Sequence, residues 1–334
     1  MKAMVQDRYG TADVLELRDI DRPRIEDDEV LVRVHAAGVD RGVWHLMTGL
    51  PYFIRLILPV LGLRAPKVPV PGSDVAGVVT AVGKDVTRFH LGDEVFGIGK
   101  SSFAEYARVP ESKLAPKPAN LTFEQAAVAP ISGLTALQCL RDKGEVRPGN
   151  KVLIIGASGG VGTFAVQIAK SFGAEVTGVC STTKVELVRS LGADHVIDYT
   201  HEDFAEGKQR YDVIIDTGGH STLSRLRRAL TPKGTLVIVG AETDGRWFGG
   251  FDRNVRAAVL SRFVSQKLIA FVNSENAEDL IAIKELIEAG KVTPVTDRAF
   301  ALGEAPKAIR YLEEGHARGK VAITVHDMNE GETG

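Results

Sequence analysis

The stretch Lys151-Val-Leu-Ile-Ile-Gly-Ala-Ser-Gly-Gly-Val-Gly-Thr163 decides how the rest of the chain is read. A continuous apolar run stops at Gly156, passes through a glycine-rich turn and resumes in the helix-compatible sequence Phe164-Ala-Val-Gln-Ile-Ala-Lys170. Strand, tight turn and helix N-terminus in that order make a site for a pyrophosphate. The first amides of such a helix lack intrahelical partners, and its dipole favours an anion there. Glycines let the backbone approach the phosphates and let helix and strand pack closely. Gly156, Ser158, Gly159, Gly160, Val161 and Gly162 are therefore candidate dinucleotide contacts. A glycine turn also serves purely steric ends, so the reading leans on the residues C-terminal to it.

Downstream, strands are expected over 175–180, 195–198, 213–216, 236–239 and 268–272. Helical stretches fall over 183–191, 222–230 and 255–263. Strands alternating with amphipathic helices mean right-handed crossovers and a parallel sheet covered on both faces.

Upstream, the sequence is different in kind. Segments 29–36, 75–82, 94–97 and 103–109 alternate apolar and polar residues between Gly, Pro and Asp turns, which suggests a β-rich, barrel-like unit. Thr122 and Gln125 have the spacing of a capping box and open a helix toward the nucleotide-binding region. Near the end, 278–289 reads as an amphipathic helix stopped by Gly290, followed by strand 296–301, helix 305–314, strand 320–325 and a polar tail, 326–334. The expected organisation is a β-rich catalytic part over 1–125, a dinucleotide-binding domain over 126–272 and a return to the first over 273–334. The cleft between them is the expected active site.

Composition narrows the partners. The 334 residues suffice for two cores. A formal net charge of −2 gives no field to draw nucleic acid or a membrane surface. The most apolar run, 52–61, is short and interrupted by Arg55 and Pro59. The first residues lack the apolar core of a signal peptide, and only Cys139 and Cys180 are present, which suits a reducing cytoplasm. Strand 268–272 is expected at an exposed sheet edge, where a homodimer forms readily.

Several blocks together resemble the medium-chain dehydrogenase/reductase superfamily. They are Ala36-Ala-Gly-Val-Asp40, Val70-Pro-Gly-Ser-Asp-Val-Ala-Gly77, Leu91-Gly-Asp-Glu-Val-Phe96, Ile131-Ser-Gly-Leu-Thr-Ala136, the glycine turn, Leu191-Gly-Ala-Asp-His-Val-Ile-Asp-Tyr199 and Leu230-Thr-Pro-Lys-Gly-Thr-Leu236. Within it, the chain is most similar to the zinc-independent quinone oxidoreductase branch. Residues 179–182 and 315–320 also resemble the reticulon-interacting mitochondrial subgroup of that branch. The resemblance implies an α/β fold, a Rossmann doubly wound parallel sheet inserted in a GroES-like β-rich catalytic domain. Zinc-dependent relatives place a cysteine where Asp40 stands and a His-Glu pair where Ser73-Asp74 stand, so no zinc is expected.

NADPH is the expected cofactor. A site preferring NADH usually carries an acidic residue about 20 residues past the loop. Here that neighbourhood reads Gly178-Val-Cys-Ser-Thr-Thr-Lys184, with Ser181 and Lys184 suited to a 2′-phosphate. The alternative for Lys184 is a solvated lysine in the first turn of the next helix. Tyr199 resembles a family position contacting the adenosine phosphate, and Gly240 and Lys320 complete the candidate cofactor contacts.

Without zinc to stabilise an oxyanion, the acceptor must be intrinsically electron-poor, a quinone or an α,β-unsaturated carbonyl. A reductase of other reactive carbonyls and a non-catalytic NADPH-binding sensor are the alternatives. Alignment with the family pattern sets Asp40 at an active-site asparagine and His45 at a tyrosine, while Thr135 resembles a position beside the nicotinamide. Asp40 is also suited to cap a helix over 41–47, and His45 to pack within it. Trp44, Tyr52 and Phe53 are candidates to line an apolar pocket, and 51–63 reads as a lid or a surface helix.

Overall fold

A computed structural model describes residues 1–57, 61–240 and 245–325. The polar tail expected over 326–334 lies outside the described residues. The chain divides into two units: Met1–Ile131 with Glu275–Glu288 and Pro294–Gly334, and Ser132–Ser274 with Ala289–Thr293.

The second unit is built on six parallel strands: Lys151–Ile155, Glu175–Cys180, His195–Asp198, Tyr211–Asp216, Leu230–Ile238 and Lys267–Ala270. Numbered as they occur, they lie in the spatial order third, second, first, fourth, fifth, sixth. The order reverses between the first strand and the fourth, and ligands of doubly wound sheets gather at the carboxyl ends beside that switch point. Val152–Ile155 pairs with Val176–Val179 on one side and with Val213–Asp216 on the other, burying apolar residues on both faces. Leu153, Ile214, Leu226, Leu236 and Ala257 anchor the core of this sheet.

Element boundaries differ from the expected ones where backbone chemistry intervenes. The fifth strand begins at Leu230 rather than 236, because Leu230 pairs with Tyr211 and the register then shifts before Val213 meets Thr235. Residues 183–191 split into a 3-10 turn, Thr182–Lys184, and a helix, Val185–Ser190. The helix expected over 255–263 is Phe251–Leu260, begun by Gly250 in the left-handed region at φ 85°. The last strand ends at Ala270.

In the first unit, a seven-stranded sheet runs in the order Thr296–Ala301, Lys320–Thr324, Glu29–Val39, Asp74–Val82, Glu94–Ile98, Leu114–Pro116, with Tyr106–Pro110 also pairing to Glu29–Val39. The long strand Glu29–Val39 alternates buried and half-buried residues along its first half, as a one-sided sheet requires. Thr122 and Gln125 do form a reciprocal capping box on the helix Phe123–Ala127. A strand pair, Lys2–Val5 with Glu16–Asp19, has no clear alternation in sequence and adds to the expected elements.

Candidate functional site

The glycine turn of the second unit has the geometry its sequence demands. Gly156 sits at φ +81°, and its N–H and that of Ala157 both bond the Val179 carbonyl, folding the chain back over the neighbouring strand. Gly159 caps the helix Gly160–Ser171 without any side-chain hydrogen bond to the first amides. A Cβ on Gly162 would lie 2.1 Å from the Gly156 carbonyl oxygen and 2.7 Å from the Ala157 Cα. That position therefore closes the turn against its helix only as glycine. Ser158 is buried within the turn, and Gly160 and Val161 open the helix.

Across the switch point, Thr217 donates its hydroxyl to the Ile155 carbonyl at 2.7 Å. Asp216, which sequence reading did not single out, ends the fourth strand fully buried and accepts from Arg253 Nη1 at 2.7 Å. Arg253 also donates to the carbonyls of Ser221 and Gly240, so one guanidinium fastens both loops that follow the fourth and fifth strands. Burial raises the Asp216 carboxyl against the pull of Arg253. Gly240 is packed so closely that a Cβ would meet the Thr217 carbonyl oxygen at 2.4 Å.

At the end of the second strand, Ser181 precedes the 3-10 turn that carries Lys184, both half-buried, and Tyr199 is 59% exposed. Asp198 pairs in register with Cys180, which brings a carboxylate beside this corner that the local sequence 178–184 does not contain. Thr200 donates its N–H and hydroxyl to that carboxylate at 3.0 and 2.7 Å, and hydrogen bonds from Thr182 and Thr200 hold it below the usual carboxylate range.

The first unit holds a polar centre of another kind. Lys320 Nζ donates to Asp40 Oδ2 at 3.1 Å and to Asp74 Oδ2 at 2.9 Å. Lys320 is 3% exposed and Asp74 0%, while Asp40, with a side chain 11% exposed, is the member nearest solvent. Asp74 Oδ1 accepts from the Ile131 N–H, and Asp40 Oδ1 from the Val43 N–H, capping the helix Arg41–Thr48. Capping and cluster membership thus use opposite oxygens of one carboxylate. Burial pushes Asp74 up to about 6, with the Asp40 charge adding to it and Lys320 opposing. Burial works against the Lys320 ammonium, yet the two carboxylates outweigh it and raise the pKa.

Asp40 and Lys320, expected to serve substrate and cofactor respectively, are therefore brought into one hydrogen-bonded group. The pairing of Asp74 with Lys320, 246 positions apart, leaves no local trace in sequence. A close backbone approach does: a Cβ on Gly38 would lie 2.8 Å from that of Asp74.

His45 lies on the same helix, its Nδ1 2.8 Å from the Leu50 carbonyl and its ring edge-on to Trp44. The Trp44 indole donates to Glu313 at 2.6 Å, and Arg55 stacks over Tyr9 and Tyr52. Thr135 is buried in the helix Pro130–Gln138. Of the segment 51–63, residues 54–57 form one short helix and 58–60 lie outside the described residues. Among the described residues, no three His, Cys, Asp or Glu side chains gather so as to hold a metal ion. No described helix is long and apolar enough to cross a membrane.

Comparison with known proteins agrees with this architecture. Residues 26–119 match the alcohol dehydrogenase GroES-like domain, and residues 191–323 match the family described as zinc-binding dehydrogenase. The chain is 35% identical to the mitochondrial NAD(P)H oxidoreductase RTN4IP1 of Mus musculus, over 97% of this chain and 89% of the relative. It is 36% identical to a chloroplastic NADPH-dependent alkenal/one oxidoreductase of Arabidopsis thaliana, over 97% and 79% respectively. The solved structure of a quinone oxidoreductase from Coxiella burnetii superposes with a TM-score of 0.83 at 30% identity, covering 98% of this chain and 99% of that one.

Proposed function

The chain belongs to the quinone-oxidoreductase branch of the medium-chain dehydrogenase/reductase superfamily, and from that premise we propose that it reduces quinones or α,β-unsaturated carbonyls with NADPH and without zinc. The observation that carries this reading is the ammonium of Lys320, clasped by Asp40 and Asp74 at two positions where zinc-dependent relatives carry ligands. Each of the four carboxylate oxygens already has a donor, from Lys320, Val43 or Ile131. A metal ion would have to displace a buried cation to reach them, so the donor set does not fit zinc.

The glycine turn fits the pyrophosphate of a dinucleotide, since the absence of a Cβ at Gly162 leaves the helix amides accessible at the end of the first strand. Gly156, Ser158, Gly159, Gly160, Val161 and Gly240 surround that group, and Thr135 borders the nicotinamide. Reduced nicotinamide supplies hydride to an electron-poor carbon. The chain's own part is to meet the negative charge that develops on the conjugated oxygen. Asp40, the least buried of the three, is an acceptor, and its part is to orient the water or hydroxyl that brings the proton to that oxygen. Lys320 acts through it as a positioning residue that keeps a positive charge behind the carboxylate. Burial raises the Asp74 carboxyl to about 6, so it takes up a proton at a higher pH than an exposed aspartate does. His45 is the second candidate for proton transfer, its ring oriented by the Leu50 carbonyl at Nδ1.

Ser181, Lys184 and Tyr199 receive the 2′-phosphate. The carboxylate of Asp198, paired in register with Cys180, is bound up by Thr182 and Thr200. Cys139 and Cys180 are buried free thiols, which suits a reducing compartment such as the cytoplasm. The strand Lys267–Ala270 closes the parallel sheet at one end, and Val255, Val259, Phe263 and Val272 stand exposed on and around it. A second copy is the fitting partner for that edge, and light scattering at micromolar protein reads the mass. The catalytic reading is tested by following NADPH and NADH oxidation across a panel of quinones, enones and simple ketones after dialysis against a chelator. Turnover with quinones or enones, at least tenfold better with NADPH, is expected. Turnover of simple ketones alone would overturn it.

A further inference from the structure

The unit that carries Asp40 also contains a cavity of about 90 Å³, walled by Gln6, Met47, Leu61, Val70, Ser73 and Ser101 among others. By volume it has room for roughly six waters or one small ring. Most of the wall is apolar. The polar members are Ser73, Lys100, Ser101 and Gln6, and Gln6 is 2% exposed. Its Nε2 points to the Met47 carbonyl oxygen at 3.4 Å, while its Oε1 has no hydrogen-bond partner. Turning the amide round would set oxygen against oxygen, so the acceptor is the end left over. The Gln6 backbone is itself pinned, its N–H donating to the Pro69 carbonyl.

A buried acceptor without a donor is a site waiting for one, because its desolvation has been spent with no bond in return. The walls around it include one costly backbone shape and one that only glycine adopts freely. Ser101 sits at φ 65°, and Gly72 at φ +98°, where a Cβ would meet the Ser102 hydroxyl at 2.4 Å. Two of its residues are chain neighbours of elements that carry the cluster: Ser73 precedes Asp74, and Met47 lies in the last turn of the helix that Asp40 caps.

We propose that this cavity binds a hydroxyl-bearing aromatic molecule of phenol size, its O–H donating to Gln6 Oε1 and its ring filling the apolar wall. The chemistry discriminates by oxidation state. A quinone or an enone offers only acceptors and leaves Gln6 unpaired, whereas a phenol or hydroquinone supplies the missing donor. The site would thus sense reduced aromatic products rather than the oxidised acceptors themselves.

The probes are phenol and toluene, titrated into the full chain with its methionine methyl groups labelled for NMR. Nuclear Overhauser contacts from the phenol ring to the Met47 methyl are expected, with phenol binding at least tenfold tighter than toluene despite being less hydrophobic. Gln6→Leu should abolish or reverse that preference. Equal affinity of the two rings for the native chain, or no contact to Met47 from either, would overturn the proposal and leave a cavity that holds water only. The native comparison decides by itself should Gln6→Leu fail to fold. NADPH affinity and quinone turnover, measured on the same sample, report separately on the catalytic reading.

Discussion

In the unit built on the parallel sheet, the proposed anion site is made of backbone: a turn at positive φ, a helix whose first amides no side chain caps, and a glycine where a Cβ has no room. All of it comes from a dozen successive residues. In the other unit the polar centre is made of three charged side chains from positions 40, 74 and 320, brought together by separate strands and a loop and buried almost completely. The first kind of site tolerates changes of charge and pH but not of volume. The second tolerates small changes of volume but not of charge, because a buried ion that loses its partner keeps the whole cost of leaving water.

The contrast can be broken most forcefully at Lys320. Lys320→Met strands two carboxylates in the interior and should cost about 3–5 kcal/mol of stability in urea unfolding. A loss below about 1 kcal/mol, the range of exposed pairs, would mean that water reaches the cluster. Asp74 supplies the pH test. Its folded value of about 6 lies above the free value of 3.8, so the native state holds the extra proton and stability falls as pH rises through this window. Asp74→Asn should therefore gain on the native chain by about 2 kcal/mol between pH 4 and pH 7, read from unfolding midpoints at each pH. A gap independent of pH would show that Asp74 titrates like a free carboxylate.

In the backbone site the sensitive change is steric. Gly162→Ala places a methyl 2.1 Å from a carbonyl oxygen and should weaken NADPH binding by about 10–100-fold, measured by nucleotide fluorescence. The pH dependence set by Asp74 should stay as it is, since the two sites share no residue. The smallest effect is expected from Thr122→Ala, which removes one half of the capping box. About 1 kcal/mol of stability should go, with NADPH affinity unchanged.

Legibility in the sequence divides along the same line. The parallel sheet and its glycine turn were legible because each rests on short-range rules: apolar runs of strand length, a turn needing positive φ at Gly156, helices at amphipathic spacing. The capping box of Thr122 and Gln125 is equally local. Strand Leu230–Ile238 was only half legible, since Thr-Pro-Lys-Gly reads as a turn while the structure carries the strand through it with a register shift. The cluster was not legible. Asp40 drew notice as a cap and Asp74 as a replaced ligand, but nothing near either residue announces Lys320. Asp216 and Arg253 were missed for the same reason, their partnership spanning 37 residues and two loops. Long-range charge pairing is decided by the fold, and periodicity does not encode it.

The most direct measurement tracks the hydride itself. Chelator-treated protein is given NADPH deuterated at the transferable C4 position together with an enone, and the product is examined by mass spectrometry and NMR. The account predicts deuterium on the β-carbon of the reduced enone and a rate unchanged by added zinc. Reduced product without deuterium, or turnover that appears only when zinc is restored, would contradict it.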